Sequence, residues 1–198
     1  MEFFFKPKSV AVVGASRNPR KFGSIIMTNL FHLGYEGKIF PVNPKGEDIA
    51  GLATYTSVGL IPDEVELAIL AVPASATIRV MKDCAEKRVK GVVIISSGFK
   101  EAGETGAEYQ REIVEIATSA GLRIIGPNTT GILNPHDSFT TTFVLLREVK
   151  KGPVAFIAQT GMFAGMLMEW IFSSECFGIS KVVGLGNKCD VDDAEVLE

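Results

Sequence analysis

The sequence predicts an α/β protein built on a doubly wound parallel sheet. Apolar, β-branched runs begin about every 30 residues along the chain, which is the spacing of a βαβ unit. The runs are apolar almost throughout, as expected of strands that are covered on both faces. Segments with helical periodicity lie between them, so strand and helix alternate. Such a sheet is expected to have right-handed crossovers and a binding site at the carboxyl ends of its strands.

Seven runs predict the strands in order. They begin near Ser9, Lys38, Glu66, Val92, Leu122, Pro153 and Lys181. Two of the predicted helices show one apolar face each. The first carries Ile78, Met81, Ala85 and Val89, and the second carries Tyr109, Ile113, Ile116, Ala117 and Ala120. Gly121 predicts the end of the second helix.

Length and composition limit the classes of protein that the chain can represent. Its 198 residues correspond to about 1.3 domains of roughly 150 residues each. Because 46% of the residues are apolar and 22% are charged, the chain can bury a core, which excludes disordered and low-complexity proteins. The net charge of −3 and the pI near 5.5 give no overall attraction to nucleic acid or to an anionic membrane, so neither partner is expected.

The start of the chain and its cysteines predict a cytoplasmic protein. Residues 1–8 lack the basic and apolar regions of a signal peptide, and no run of 18 apolar residues occurs. Cys84, Cys176 and Cys189 lack CxxC or Cys/His ligand spacing. They are expected to be buried thiols in a reducing compartment, without a disulfide framework or a structural metal.

A charged stretch at residues 147–152 precedes a new strand and predicts a domain boundary. We therefore assign residues 1–148 to a first domain and residues 149–198 to the start of a second. The second opens as the first does, with a strand, a turn of small residues and a predicted helix. Two strands cannot bury the core of a sheet, so the second domain is expected to be truncated or to be completed by another chain.

The loop after the first strand has the character of a phosphate-binding loop, because free backbone N–H groups and the dipole of the following helix favour an anion. The candidate residues are Gly14, Ala15, Ser16, Arg17, Asn18, Arg20 and Lys21. No Asp or Glu occurs from Phe3 to Tyr35. Five positive charges do occur there, on Lys6, Lys8, Arg17, Arg20 and Lys21. The loop is not GxGxxG, so it leaves NAD(P), another phosphorylated ligand and a merely solvated basic face open.

The end of the second strand argues against NAD. A dinucleotide-binding fold usually places Asp or Glu there to bind the ribose 2′-hydroxyl. This chain has Val42-Asn43-Pro44-Lys45 instead, and Lys45 favours a phosphate. Both NADP and the 3′-phospho-ADP moiety of coenzyme A carry such a phosphate, so Lys45 does not distinguish between these two ligands. A solvent-exposed turn lysine is the alternative interpretation.

Three further loops follow strands at the same edge of the sheet. The candidate contacts in them are Val72, Pro73, Ser96, Ser97, Gly98 and Asn128. Small and hydroxyl-bearing residues permit close contact between a ligand and the backbone, although ordinary turn and N-cap chemistry explains each loop taken alone. Their convergence on one edge favours a binding site.

A second anion site is predicted in the second domain, at Thr160 and Gly161. Thr160 is a good N-cap for the predicted helix, and no acidic residue occurs from Val149 to Met168 to offset the helix dipole. A plain N-cap without a ligand is the alternative interpretation.

The other titratable residues predict no catalytic or metal centre. Asp190, Asp192 and Asp193 fit the start of a helix better than a metal site. His32 falls on a predicted helix and His136 in a turn. No Ser/His/Asp arrangement, Cys/His arrangement or acid–base pair is evident.

Taken together, seven motifs resemble the NDP-forming acyl-CoA synthetases, most closely the ADP-forming acetate–CoA ligases, which are relatives of the succinyl-CoA synthetase α subunit. The motifs are VVGASRNPRKFG, FPVNPK, ELAILAVPA, VIISSGFKE, IGPNTTG, IAQTGMFAG and VGLGNKCDVDDAEVLE. They occur in the family's order over essentially the whole chain. The resemblance implies a Rossmann-like CoA-binding domain followed by the start of a flavodoxin-like domain.

The resemblance also implies a reaction. In that family a carboxylic acid, CoA and ATP give acyl-CoA, ADP and phosphate through an acyl phosphate and a phosphohistidine. An ATP-grasp domain or β subunit holds ATP with Mg, and an oligomer is expected. By position, the loop around Ser16, Lys45, the Val72-Pro73 pair and residues 96–98 would hold CoA. Thr160 with Gly161 would begin the helix that points to the phosphohistidine.

The chain departs from the family pattern in three places. Thr129 stands where the family usually has the cysteine of GPNC, and QTGMF, with the bulky Met162 and Phe163, stands where it often has SQSGAL. The segment with the phosphohistidine is expected beyond Glu198, so this chain is expected to hold no catalytic residue and to be inactive alone. Two alternatives stay open, a non-catalytic CoA-responsive regulatory module and an NAD(P)-binding Rossmann protein.

Overall fold

Five parallel strands form the first sheet of the protein. The computed structural model describes residues 1–161 and 177–197. The strands are β1 (Ser9–Val13), β2 (Lys38–Val42), β3 (Leu67–Leu70), β4 (Gly91–Ile94) and β5 (Arg123–Ile125). Their order is β2-β1-β3-β4-β5, with every neighbouring pair parallel. The predicted doubly wound sheet is confirmed, and the point at which the strand order reverses lies between β1 and β3.

Three helices cover the two faces of this sheet. They are α1 (Phe22–Leu33), α2 (Ala74–Glu86) and α3 (Glu104–Ala120). Val10 and Val12 of β1 belong to the same buried cluster as α1, whereas Ala11 and Val13 belong to the cluster that includes α2 and α3. Because successive strand residues point to opposite faces, this alternation places α1 on one side and the other two helices on the opposite side. Gly121 ends α3 with φ +68°, as predicted.

A second sheet of four strands lies beside the first. Its strands are β6 (Ile132–Asn134), β7 (Phe139–Thr140), β8 (Lys151–Ala158) and β9 (Ile179–Gly184), in the order β7-β6-β9-β8. Strands β8 and β9 are parallel, whereas β6 is antiparallel to both β7 and β9. The sequence predicts only β8 and β9 in this sheet, because segments of two or three residues are too short to show a period. The second sheet therefore draws β6 and β7 from residues that precede position 148.

A shared core joins the two sheets. Val183, Leu185 and Val191 are buried in the same apolar cluster as Ile125 of the first sheet. The short helix α4 (Asp193–Leu197) follows β9. Among the described residues, no helix has both the length and the apolar character needed to cross a membrane.

The cysteines follow the predicted pattern where they are described. Cys84 is buried, Cys189 is half-buried, and both are free thiols. Burial raises the pKa of the Cys84 thiol well above its ordinary value. Burial likewise raises the pKa of Cys189 to about 12, so neither thiol is activated as a nucleophile. Cys176 lies outside the described residues.

Candidate functional site

The loops after β1 and β2 adjoin at the carboxyl edge of the first sheet. The Gly14 N–H donates to the Val42 carbonyl at 2.9 Å. The Asn43 side chain donates through Nδ2 to the Ala15 carbonyl at 2.7 Å, and its Oδ1 accepts from the Lys45 N–H at 2.9 Å. The structure thus places Lys45 beside the loop after β1, as the sequence predicts.

Two glycines allow the start of α1 to lie directly on that loop. A Cβ at Gly23 would lie 2.1 Å from the Gly14 carbonyl oxygen. A Cβ at Gly14, where φ is +91°, would lie 2.4 Å from the Ala71 carbonyl oxygen and 3.2 Å from a methyl of Val72. Only glycine fits such approaches. The loop after β1, the start of α1 and the loop after β3 are therefore in contact.

The start of α1 has free N–H groups suited to an anion. Lys21 is the N-cap residue, no side chain caps the helix, and no acidic residue occurs in its first turn. Ser16 Oγ accepts from the Asn18 N–H at 3.1 Å, and Asn18 Oδ1 accepts from the Arg20 N–H at 3.0 Å. These two side chains shape the loop, which leaves the helix dipole to attract a negative charge.

The start of α2 lies next to that of α1 and has the same character. Pro73 is its N-cap residue, no side chain caps it, and its first turn has no acidic residue. The Ala71 N–H donates to the Val13 carbonyl at 2.8 Å, which places the predicted Val72-Pro73 pair beside the loop after β1. Two uncapped helix starts therefore flank the point at which the strand order reverses.

The basic side chains divide between the two edges of the sheet. Arg20, Lys21 and Lys45 are exposed at the carboxyl edge, and within the described residues their side chains form no ion pair. Lys6 and Lys8 precede β1 and so lie at its amino end. The expected cluster of five cations is therefore wrong in its membership, because charges close in sequence are separated by the length of a strand.

Arg17 faces the loop after β2. Its Nε donates to the Asp48 carbonyl at 2.7 Å, and its Nη1 lies 3.6 Å from a carboxylate oxygen of Glu47. The Arg17 and Glu47 side chains are mostly exposed, so this ion pair contributes little to stability. The contacts hold the guanidinium against Glu47 and Asp48 of the loop after β2 rather than at the start of α1.

The loop after β4 is held by Glu101. Its Oε1 accepts from the Gly98 N–H at 2.6 Å and from the Phe99 N–H at 3.1 Å, and its Oε2 accepts from Asn187 Nδ2. Burial by itself would raise the pKa of Glu101. The hydrogen bonds from Asn187 and from the backbone outweigh burial and hold that pKa below its ordinary value.

A cavity of about 440 Å³ joins the predicted CoA residues to the predicted second anion site. It is lined by Phe22, Ile95, Ser97, Asn128, Thr129, Thr130, Phe143, Gln159, Thr160, Gly161, Gly186 and Asn187. Ser97 and Asn128 from the first set thus face the same space as Thr160 and Gly161 from the second. The Asn128 N–H also donates to the Ser96 carbonyl at 3.0 Å. The helix predicted after Thr160, with Met162 and Phe163, lies outside the described residues.

Thr129 has a structural role that the comparison with the GPNC motif does not reveal. Its Oγ1 donates to the Gly184 carbonyl at 2.5 Å and accepts from the Gly131 N–H at 2.9 Å. The residue is buried. Its hydroxyl thereby fixes the loop after β5 to the end of β9.

Eight of the twelve cavity residues are missing from the predicted site residues, and three of these, Phe22, Phe143 and Asn187, have specific side-chain contacts. Phe22 and Phe143 form an aromatic pair on one wall, and Asn187 joins the cavity to Glu101. The sequence gives a weak indication for Phe22, because it is an aromatic residue that directly follows the basic loop. Asn187 falls within the motif VGLGNKCDVDDAEVLE, but nothing in that motif indicated a role in the site. The sequence has no comparable signal for Phe143.

The remaining acidic candidates have other partners. Asp190 pairs with Arg123 at 2.9 Å, and Asp193 pairs with Lys188. Asp192 Oδ1 accepts from two N–H groups at the start of α4, and Asp193 is the first residue of that helix, so these two residues do begin a helix. Asp190 does not, since it binds Arg123 and the Ile124 N–H of β5. No group of three or more His, Cys, Asp or Glu residues is placed to hold a metal ion in the part of the chain that the structure describes.

The two histidines lie away from the cavity. His32 is exposed in the last turn of α1. His136 is exposed in a turn, where its Nε2 lies 3.1 Å from the Gly152 carbonyl oxygen. Neither lines the cavity.

Comparison with known proteins finds relatives that match nearly the whole length of the chain. It is 53% identical over 195 residues to acetate–CoA ligase [ADP-forming] II of Archaeoglobus fulgidus, covering 98% of this chain and 29% of that protein. It is 46% identical to subunit alpha of acetate–CoA ligase [ADP-forming] I of Pyrococcus furiosus, covering 100% of this chain and 43% of that subunit. The chain thus spans less than half the length of these relatives.

A solved structure shares the fold. The dinucleotide forming acetyl-coenzyme A synthetase 1 of Ca. Korarchaeum cryptofilum, in complex with phosphate and ADP, matches with a TM-score of 0.94 and 41% identity. The match covers 99% of this chain and 41% of that one. Residues 8–135 match the CoA binding domain, and residues 151–198 match the succinyl-CoA ligase like flavodoxin domain. The chain therefore belongs to the CoA binding domain family, and it corresponds to the N-terminal part of the ADP-forming acyl-CoA synthetases.

Proposed function

We propose that this chain provides the CoA-binding site of an ADP-forming acyl-CoA synthetase. The observation that carries the proposal is the pairing of two uncapped helix starts, those of α1 and α2, with Arg20, Lys21 and Lys45 at one sheet edge. Helix dipoles and free N–H groups suit a pyrophosphate, and a nearby lysine suits a further phosphate. Coenzyme A carries both groups, on one molecule, together with a long uncharged arm.

The proposed contacts extend along the carboxyl edge of the sheet. The loop after β1, through Gly14, Ala15, Ser16, Asn18, Arg20 and Lys21, and the starts of α1 and α2 would hold the pyrophosphate. Arg17, whose guanidinium is held by the loop after β2, would lie on the Lys45 side of the ligand. Lys45 would hold the 3′-phosphate. The pantetheine arm would pass Val72, Pro73, Ser96, Ser97 and Gly98 and reach the cavity beside Asn128. This direction is supported by Phe22, which follows Lys21 and lines the cavity.

We propose that the whole protein converts a small carboxylic acid, CoA and ATP into acyl-CoA, ADP and phosphate. Thr160 and Gly161 would receive the phosphate of the phosphorylated histidine at the far side of the cavity from the CoA loops. The histidine and the ATP site would come from residues that follow position 198 or from a partner subunit. A relative named as a subunit alpha supports the second arrangement.

We also propose that the two units have different functions. Residues 1–148 would bind CoA, and residues 149–198 would begin the ligase-like unit. Oligomerisation and a cytoplasmic location suit an enzyme that uses CoA and ATP. Determining the native gene sequence after residue 198 would separate this proposal from a regulatory module, because a regulatory module would lack the histidine.

The proposal is tested by calorimetric titration of the chain with CoA, NADH and NADPH. CoA is expected to bind most tightly, because only CoA combines the pyrophosphate with an arm that reaches the cavity. Tighter binding of NADH would overturn the proposal. Tighter binding of NADPH would agree with a phosphate contact at Lys45 but would mean that the ligand is NADPH rather than CoA.

A further inference from the structure

A segment of the second unit covers the edge of the first sheet. β5 is the outermost strand of that sheet, and residues 186–191, here called the edge segment, lie along its outer side. Three N–H groups of the edge segment donate to carbonyls at β5 and just after it. They are those of Asn187 to Pro127 at 2.8 Å, Cys189 to Gly126 at 3.1 Å and Val191 to Ile124 at 3.1 Å. By its contacts, the edge segment therefore belongs to the first sheet, although it follows β9 in the chain.

Asn187 is the residue of the edge segment that reaches the loop after β4. Its Nδ2 donates to Glu101 Oε2, and also to Gln110 Oε1 of α3 at 3.0 Å. The other carboxylate oxygen of Glu101 accepts from the Gly98 N–H at 2.6 Å and from the Phe99 N–H at 3.1 Å. One oxygen of this carboxylate thus holds the loop after β4, and the other holds the edge segment.

The Glu101 carboxylate also determines which groups of the loop after β4 can meet a ligand. The N–H groups of Gly98 and Phe99 are occupied by Oε1. Among residues 96–99, Ser97 is the one that lines the cavity, and Asn187 lines the same cavity. A ligand that packs against Ser97 and Gly98 needs the loop in this position. A displacement of Asn187 would therefore reach that ligand through Glu101.

We propose that Asn187 is a positioning residue for the CoA site, acting through Glu101, and that bound CoA in turn stabilises the edge segment. The inference rests on the proposed CoA site, since the loop after β4 would contact the ligand there. Such coupling is reciprocal, because an ordered edge segment that favours bound CoA must itself be favoured by bound CoA. Since β9 leads directly into the edge segment, the second unit responds to occupancy of the CoA site.

The test reverses the donor and the acceptor of the hydrogen bond between Asn187 and Glu101. Asn187→Asp places a second carboxylate against Glu101 and is expected to weaken CoA binding about tenfold. Adding Glu101→Gln supplies an amide that can donate to the new carboxylate, while its oxygen still accepts from the Gly98 and Phe99 N–H groups. This double variant is expected to bind CoA within about threefold of the unsubstituted chain. Calorimetric titration with CoA at pH 7 measures each affinity.

Two further variants separate the hydrogen bond from the added charge. Asn187→Leu removes the donor without adding charge and should weaken CoA binding about threefold to tenfold. Lys188→Gln makes the net charge more negative by one, as Asn187→Asp does, but Lys188 pairs with Asp193 of α4 rather than with Glu101. Lys188→Gln should therefore change the affinity by less than about twofold.

Hydrogen exchange provides a readout that a loss of stability alone would not give. Exchange at the N–H groups of Asn187, Cys189 and Val191 is measured with and without saturating CoA. The N–H groups of β8 are the internal reference, because stabilisation of the whole fold would slow both sets alike. CoA should slow exchange in the edge segment more than in β8, in the unsubstituted chain and in the double variant but not in Asn187→Asp. The measurement on the unsubstituted chain tests the inference even if Asn187→Asp does not fold.

The outcomes distinguish this inference from the proposed function. If the double variant does not recover CoA affinity, or if CoA slows exchange equally in the edge segment and in β8, the inference is wrong and the CoA site stands. If the unsubstituted chain does not bind CoA, both proposals are wrong.

Discussion

Glu101 and Asn187 form a hydrogen bond that joins the loop after β4 to the segment after β9. The same carboxylate accepts from the Gly98 and Phe99 N–H groups, so one side chain fixes the proposed CoA loop and ties it to the second unit. Asn187 Nδ2 also donates to Gln110 Oε1 on α3 at 3.0 Å. The side of the cavity that Asn187 lines is therefore positioned by α3 as well as by the loop after β4.

Glu101→Gln is expected to lower stability at neutral pH but not in acid. The hydrogen bonds hold the pKa of Glu101 below its ordinary value of 4.5, so the ionised form stabilises the fold above that pH. This contribution disappears as the pH falls through the lowered pKa of the folded state. In urea unfolding, the difference between the two proteins should therefore be largest at pH 7 and should shrink as the pH falls below 4.5.

Glu115→Gln is the control for this pH effect. Glu115 lies on the exposed surface of α3, and its substitution should change the stability by less than about 0.5 kcal/mol. If the difference in stability between Glu101→Gln and the unsubstituted chain does not shrink at all as the pH falls below 4.5, ionisation of Glu101 does not contribute.

Lys45→Ala is expected to weaken CoA binding by about 1.5 to 3 kcal/mol, as for a hydrogen bond to a charged group. Because the proposed partner is the 3′-phosphate, the loss should shrink when dephospho-CoA replaces CoA. Calorimetry with both ligands measures the difference. Lys8→Ala removes the same charge at the opposite edge of the sheet and should have little effect. An equal loss with both ligands would place Lys45 at another part of CoA.

The first sheet could be predicted from the sequence because each of its strands is an apolar run followed by a turn of small residues. Gly14, Lys45 and Asn128 follow strands within three residues, so parallel topology alone places them at one edge. The predicted start of the first strand at Ser9 already puts Lys6 and Lys8 at the other edge of the sheet, so the expected cluster of five cations disagreed with the predicted strand itself. Hydrophobic periodicity indicates that a segment is a strand. The positions of the strand's two ends determine which loops lie at the same edge of the sheet.

The cavity could be predicted only in part. Its polar residues belong to loops with turn chemistry, but its aromatic wall depends on a contact across 121 positions, between Phe22 and Phe143. Strand β7, which precedes Phe143, has two residues and shows no period. Asn29 reads in the sequence as an ordinary polar residue of a helix. Only the fold shows that its amide holds a segment more than a hundred residues away.

Asn29→Ala is expected to destabilise the protein by about 2 to 4 kcal/mol, because two carbonyls and one N–H lose their partner in a buried site. Thr28→Ala, a substitution at the adjacent exposed position of α1, should change the stability by less than about 0.5 kcal/mol. Urea unfolding monitored by circular dichroism measures both. A loss for Asn29→Ala no larger than that for Thr28→Ala would contradict the role of the amide.

The same variant separates stability from ligand binding. Under conditions in which Asn29→Ala remains folded, its affinity for CoA should change little, because the starts of α1 and α2 and Lys45 do not depend on the Asn29 amide. Calorimetric titration of the folded variant with CoA measures this affinity. A loss of CoA affinity as large as that of Lys45→Ala would mean that the Asn29 amide also positions the start of α1.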